Sequence, residues 1–146
     1  MTPDKIAIAI GNSSRADDGL GWAFLEAVSH QMPGDWTAEQ RYQLVVEDAE
    51  LLTGFDRVLF IDATLENLPG GFALEPCPPD PAANIYTHQQ SPGAVLWLCQ
   101  DLYGHRPDAW CLRIQGYAWE LGNNMSPEAQ QNLEAAVAGF LNWVAR

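Results

Sequence analysis

The chain has 146 residues, 47% of them hydrophobic, with 19 Asp and Glu against 7 Lys and Arg and a net charge of −12. That length and apolar content fit one domain over residues 1–146 and exclude intrinsic disorder. The acidic balance, with Lys5 as the single lysine, argues against nucleic acid or an anionic membrane as partner, because phosphate binding needs clustered Lys and Arg. No apolar run reaches the roughly 18 residues that span a bilayer. The start, "MTPDKIAIAI", lacks the pattern of a secretory signal, so a cytoplasmic location is expected.

Residues 5–10, "KIAIAI", read as a buried strand. Residues 20–30 have helical spacing, with Leu20, Phe24 and Val28 on one face. "YQLVVED", residues 42–48, reads as a second strand, and "AELLTGF" as one helical turn and a stop. "RVLFIDA", residues 57–63, is a continuous apolar run of the kind buried on both faces. "GGFALEP" predicts a short edge or hairpin strand, and "CPPDPAAN" a proline-rich loop. The stretch from Ser91 to Gly104 predicts a helix capped by Ser91, with Pro92 in its first turn and Gly104 at its end. "AWCLRIQGY" reads as another strand. The final helix opens on Ser126 and Pro127 and carries Leu133, Val137, Phe140, Leu141 and Val144 as its apolar stripe. Alternating strands and helices predict an α/β domain, a three-layer α/β/α sandwich with a twisted, mostly parallel central sheet.

Cys77, Cys99 and Cys111 form no CxxC, so neither a zinc knuckle nor a disulfide framework is indicated. Cys99 and Cys111 read as small packing residues, Cys77 as a loop residue. The turn "GNSSRADDGLG" after the first strand has neither the GxGxxG spacing nor the Gly-Lys-Ser/Thr of a phosphate loop. No GxSxG elbow or HExxH pair is present. What the turn does hold is two adjacent acids, Asp17 and Asp18. Helix capping explains one of them. In open α/β sheets, however, ligands bind outside the carboxyl ends of the strands. Asp62 ends the "VLFIDA" run and His88 precedes the helix at Ser91. Each alone has an ordinary structural reading: a cap for Asp62, a surface or packing residue for His88. Together, one or two carboxylates and an imidazole at one rim make a plausible oxygen/nitrogen site for Ni, Zn or Mn. His30, near the first helix's end, and His105, in a loop, are left outside it.

The ordered set of pieces resembles the [NiFe]-hydrogenase maturation endopeptidases, which trim the C-terminal tail of the hydrogenase large subunit. The matching stretches are "GNSSRADDGLG", "VLFIDA", "THQQSPGAVLWL", "WELGNNMSPEAQQNLEAAV" and "YQLVVEDAELL". They span nearly the whole chain in the family's order. Two departures stand out: "VEDAELL" replaces an Asp-Gly-Gly-Thr stretch of many relatives, and "NSSRA" is more polar than the usual loop.

The resemblance implies a nickel-dependent, aspartyl-type endopeptidase in which Asp18, Asp62 and His88 are both the metal-contacting and the catalytic residues. The resemblance implies too that the nickel is supplied by the substrate protein, the precursor of the large subunit, rather than held permanently. Asp17 would then cap the helix or accept a proton, and Gly19 and Gly21 would let a protein substrate come close. A monomer is expected. No activated Ser or Cys is recognisable, so a covalent intermediate is not expected. Two other readings share these residues: a stand-alone metallohydrolase with its own divalent metal, and a non-catalytic nickel-dependent assembly chaperone.

Overall fold

The computed structural model describes residues 4–81 and 90–145. Among the described residues, five strands and four α-helices follow in chain order. They are β1 (Lys5–Ile10), α1 (Leu20–Val28), β2 (Trp36–Arg41), α2 (Asp48–Leu51), β3 (Arg57–Thr64), β4 (Phe72–Pro76), α3 (Pro92–Tyr103), β5 (Asp108–Gln115) and α4 (Pro127–Val144). The sheet order is β2-β1-β3-β5-β4. Every pairing is parallel except that of β4 with β5. This is the α/β, mostly parallel architecture expected, with β4 at an edge as the sequence suggested.

The strand sequences explain the two layers of core. Alternate residues of a strand face opposite sides. Ala7 and Ala9 of β1, Leu59 and Ile61 of β3, and Leu112 and Ile114 of β5 join Leu20, Phe24 and Val28 of α1 and Leu133, Ala136 and Phe140 of α4. Ile6, Ile8 and Ile10, Val58 and Phe60, and Ala109 face the other way, toward α2 and α3, with Leu52, Val95, Leu96 and Cys99. Phe24 and Phe140 meet edge to face, ring centres 5.3 Å apart. The helix ends follow the capping rules: Ser91 accepts from the Ala94 amide at 3.1 Å, and Ser126 from that of Ala129 at 3.2 Å. Gly104 closes α3 in the left-handed region, at φ 66°.

Three sequence expectations are corrected. The second strand is not 42–48 but Trp36–Arg41, six residues earlier. An edge strand needs backbone partners more than buried side chains, so "WTAEQR" can be polar and still pair with β1 along its whole length. In 42–48 only Leu44 and Asp48 are buried, and Val46 is 40% exposed. Gly21, in turn, does not open a path for a substrate. A Cβ there would lie 2.8 Å from the Ile10 carbonyl oxygen and 2.9 Å from that of Ile61. Its role is to seat α1 against the ends of β1 and β3. The helix also ends at Val28, two residues short of His30.

Gly21→Ala tests this seating. In an open helix the change would add about 1 kcal/mol of stability. Here urea unfolding should show a loss of about 1–3 kcal/mol, because both obstructing atoms are backbone.

Candidate active site

The strand order reverses between β1 and β3. The chain leaves β1 for β2 on one side and leaves β3 for β4 on the other. Such a switch point opens a crevice at the carboxyl ends of the strands. The turn after β1 and the last residues of β3 line it.

The turn after β1 is closely built. Gly11 has φ 152°, and a Cβ there would sit 2.1 Å from the Asp18 carbonyl oxygen, so only glycine fits. That same carbonyl accepts from the Asn12 amide at 3.0 Å. The Asn12 side chain accepts from the Ser14 amide at 2.9 Å. Ala16 adopts φ 51°, a strained value for a residue with a Cβ. A short 3-10 turn over Ala16–Gly19 then leads directly into α1.

The two adjacent acids have different fates. Asp17 is fully buried. Its carboxylate accepts from the amides of Tyr117 at 2.7 Å, Ala118 at 2.9 Å and Ser126 at 2.7 Å, and from the Ser126 hydroxyl at 2.7 Å. Its own amide donates to the Ala118 carbonyl. Burial alone would raise its pKa, but these donors outweigh that and hold the carboxyl below its usual range. Asp17 therefore neither caps α1 nor is available to take a proton. It ties the turn after β1 to the loop after β5 and to the cap of α4.

Asp18 is half-buried, and its pKa is raised. Burial drives the rise, against the nearby Arg15 charge and the Asn12 amide. Asp62, second acid of the crevice, accepts from the Ala63 amide at 2.8 Å. Burial pushes its pKa up to about 7; the Ala63 amide opposes the shift and the negative charge of Asp18 adds to it. The fold thus places Asp62 where it feels the negative charge of Asp18, a smaller contribution than that of burial. A proton or a cation between them relieves that repulsion.

His88, the third residue expected at the site, lies outside the described residues. The chain is described again from Gln90, whose amide donates to the Leu44 carbonyl at 2.9 Å. Among the described residues, no three His, Cys, Asp or Glu side chains form a group that could hold a metal. His105 is away from the crevice: a ring nitrogen lies 2.6 Å from the carbonyl oxygen of Phe55, just before β3 begins. The sequence reading missed the bracing role of Asp17. Its signal was faint, an extra acid beside the one at the crevice and a Ser-Pro start to the last helix.

Nearly the whole chain shares its fold with solved structures of hydrogenase maturation proteases. The chain is similar over 99% of its length to the hydrogenase-maturating endopeptidase HybD from E. coli, covering 93% of that chain, with 18% identity and a TM-score of 0.75. It is similar to the [NiFe]-hydrogenase maturation protease HycI from Thermococcus kodakarensis KOD1 over 99% of its own length and 94% of the other, with 17% identity and a TM-score of 0.72. HybD from Thermococcus kodakarensis aligns over 99% of both chains at 20% identity and a TM-score of 0.63. No protein-family model and no curated protein matches the sequence. At these identities the likeness is one of fold.

Two substitutions separate bracing from crevice. Asp17→Ala should cost about 3–5 kcal/mol in urea unfolding at pH 7, because it strands buried donors. The carboxyl's depressed pKa means its stabilisation is present above the unfolded value and is lost as pH falls through the folded one. Asp62→Asn should have the opposite sign. A carboxyl raised to about 7 stabilises the fold at pH 4 and loses that contribution as pH rises through 7. The Asn variant should therefore be more stable than wild type at pH 8, by about 1–3 kcal/mol, with the gap closing toward pH 4.

Proposed function

We propose that this chain is an endopeptidase that removes the C-terminal extension of an immature [NiFe]-hydrogenase large subunit after nickel insertion. The observation that carries the proposal is the Asp18–Asp62 pair at the switch point of a fold shared along the whole chain with hydrogenase maturation proteases. Asp18 and Asp62, with His88, are the residues that would read the nickel. The metal belongs to the substrate. Two half-buried carboxylates that repel each other gain from a divalent cation, and carboxylate with imidazole suits nickel.

The chemistry asks little more of the chain. Hydrolysis of an amide needs a water oriented at the carbonyl and a group that takes its proton near neutral pH. With no cation bound, Asp62 has its carboxyl raised to about 7, a value matched to that task; nickel held by Asp62 would instead draw it to the ionised form. The carboxylate can accept the proton from water and return it to the leaving amine. Asp17, already satisfied by four donors, holds the turn in place while Asp18 and Asp62 act. Among the described residues no helix is long and apolar enough to cross a membrane.

The direct test mixes the purified protein with a nickel-loaded, tail-bearing large subunit and reads the mass of that subunit. Wild type should release a C-terminal peptide. Asp18→Ala, Asp62→Ala and His88→Ala should each slow the release at least about 100-fold. Nickel-free precursor should stay uncut. A stable complex with unchanged subunit mass would replace the peptidase reading with that of a non-catalytic assembly chaperone.

A further inference from the structure

Seven large hydrophobic side chains stand exposed among the described residues, and they are not scattered. Five of them, Tyr42, Val46, Leu65, Tyr117 and Leu121, lie in the loops that follow β2, β3 and β5, at the carboxyl end of the sheet. The other two, Leu102 and Tyr103, end α3 at the opposite pole, where the chain turns back into β5. Leu65 is 77% exposed and Leu121 69%, so neither is there to fill the core. Single exposed apolar side chains are ordinary, whereas a group of them around one opening marks an interaction surface.

Backbone bonds tie these loops into one rim. The Arg41 carbonyl, just before Tyr42, accepts from the Gly11 amide at 2.9 Å. The Thr64 carbonyl, just before Leu65, accepts from the Gly116 amide at 2.9 Å, and Tyr117 follows Gly116. The Gly122 amide, next to Leu121, donates to the Ser14 carbonyl at 2.8 Å. Tyr42, Leu65, Tyr117 and Leu121 are therefore each one residue from a bond that joins two loops, and the turn carrying Asp18 lies among them. Two of the rings are already held in place. Tyr42 packs on Trp22, ring centres 5.1 Å apart, and the Tyr117 hydroxyl accepts from the Asn132 side chain at 3.0 Å. Side chains fixed in advance lose less freedom when a partner docks.

Charge selects the partner. The loops after β1, β2, β3 and β5 contain one base, Arg15. Glu66 is neutralised by Arg113 of β5, which leaves Asp18, Glu47 and Glu120 against Arg15. A second copy set rim to rim would bring like charges together, and an anionic membrane would be repelled in the same way. We propose that the rim is a docking surface for a folded protein face with apolar side chains at its centre and Lys or Arg around them. The inference deepens the peptidase reading and rests on it for the partner, the large-subunit precursor. The rim holds the body of that protein, while Asp18 and Asp62 meet only its scissile segment.

The test separates docking from cutting. Binding is measured by calorimetry on nickel-free, tail-bearing large subunit, and KM and kcat on the nickel-loaded form by the mass of the released tail. Wild type should bind the nickel-free form, and its binding should weaken as salt rises from about 0.05 to about 0.5 M. The double variant Leu65→Ser, Leu121→Ser should raise both Kd and KM at least about 10-fold with kcat unchanged. Leu102→Ser with Tyr103→Ser, at the opposite pole, should change neither. An unchanged Kd in the Leu65/Leu121 variant, or no binding by wild type, would overturn the docking surface, whatever tail release shows. Weakened binding of that variant, with no tail released from nickel-loaded subunit by wild type, would keep the surface and end the peptidase reading. Sedimentation of the protein alone should give a monomer; a dimer lost in the double variant would overturn the proposal by giving the rim to a second copy.

Discussion

The Asp17 carboxylate accepts four hydrogen bonds from three residues 100 or more positions away in the chain, and the geometry of the whole rim follows from them. Ser126 caps α4 and bonds to Asp17 with both its amide and its hydroxyl. The start of the last helix, the loop after β5 and the turn after β1 are therefore one unit. A buried charge is tolerated only when its lone pairs are satisfied, and these are. With the turn pinned from below by its first acid, the second acid is held at the crevice without needing a partner of its own.

That arrangement accounts for the unlike electrostatics of neighbouring side chains. Asp17 is surrounded by donors and stays ionised. Asp62, one strand away, has the Ala63 amide and the repulsion of Asp18, and it is raised to about 7. Environment, not residue type, separates a structural carboxylate from one suited to proton transfer or cation binding. The strain at Ala16, φ 51°, sits in the same turn, where the surrounding hydrogen bonds can hold it.

Much of this was legible in the sequence, for identifiable reasons. β1 and β3 are apolar runs buried on both faces, and α3 and α4 open on Ser-Pro caps, all local signals. The placement of Asp18 and Asp62 at the carboxyl ends of β1 and β3 was readable because it follows from strand order along the chain. β2 was misread because "LVV" resembles a strand more than "WTAEQR" does; its strand character comes from pairing with β1, which local composition does not encode. Asp17 could not be read because its partners arrive from the far end of the chain. Gly21 was taken for a gap left for a substrate, when the atoms that exclude a Cβ are the protein's own carbonyls.

The alternation of alanine and isoleucine along β1 makes the domain unequal on its two sides. On the α1 side, Ala7 and Ala9 and the bare Cα of Gly21 bring helix and sheet backbones close. On the other, Ile6, Ile8 and Ile10 keep α2 and α3 at a distance set by branched side chains. Where β1 meets α1 there is no volume to give, whereas the other face of β1 can exchange one branched side chain for another as neighbours repack. Drift among descendants of this sequence should therefore be lopsided, with the isoleucine face varying in kind and the alanine face nearly frozen. The frozen face is the one that carries α1 and the acidic turn ahead of it.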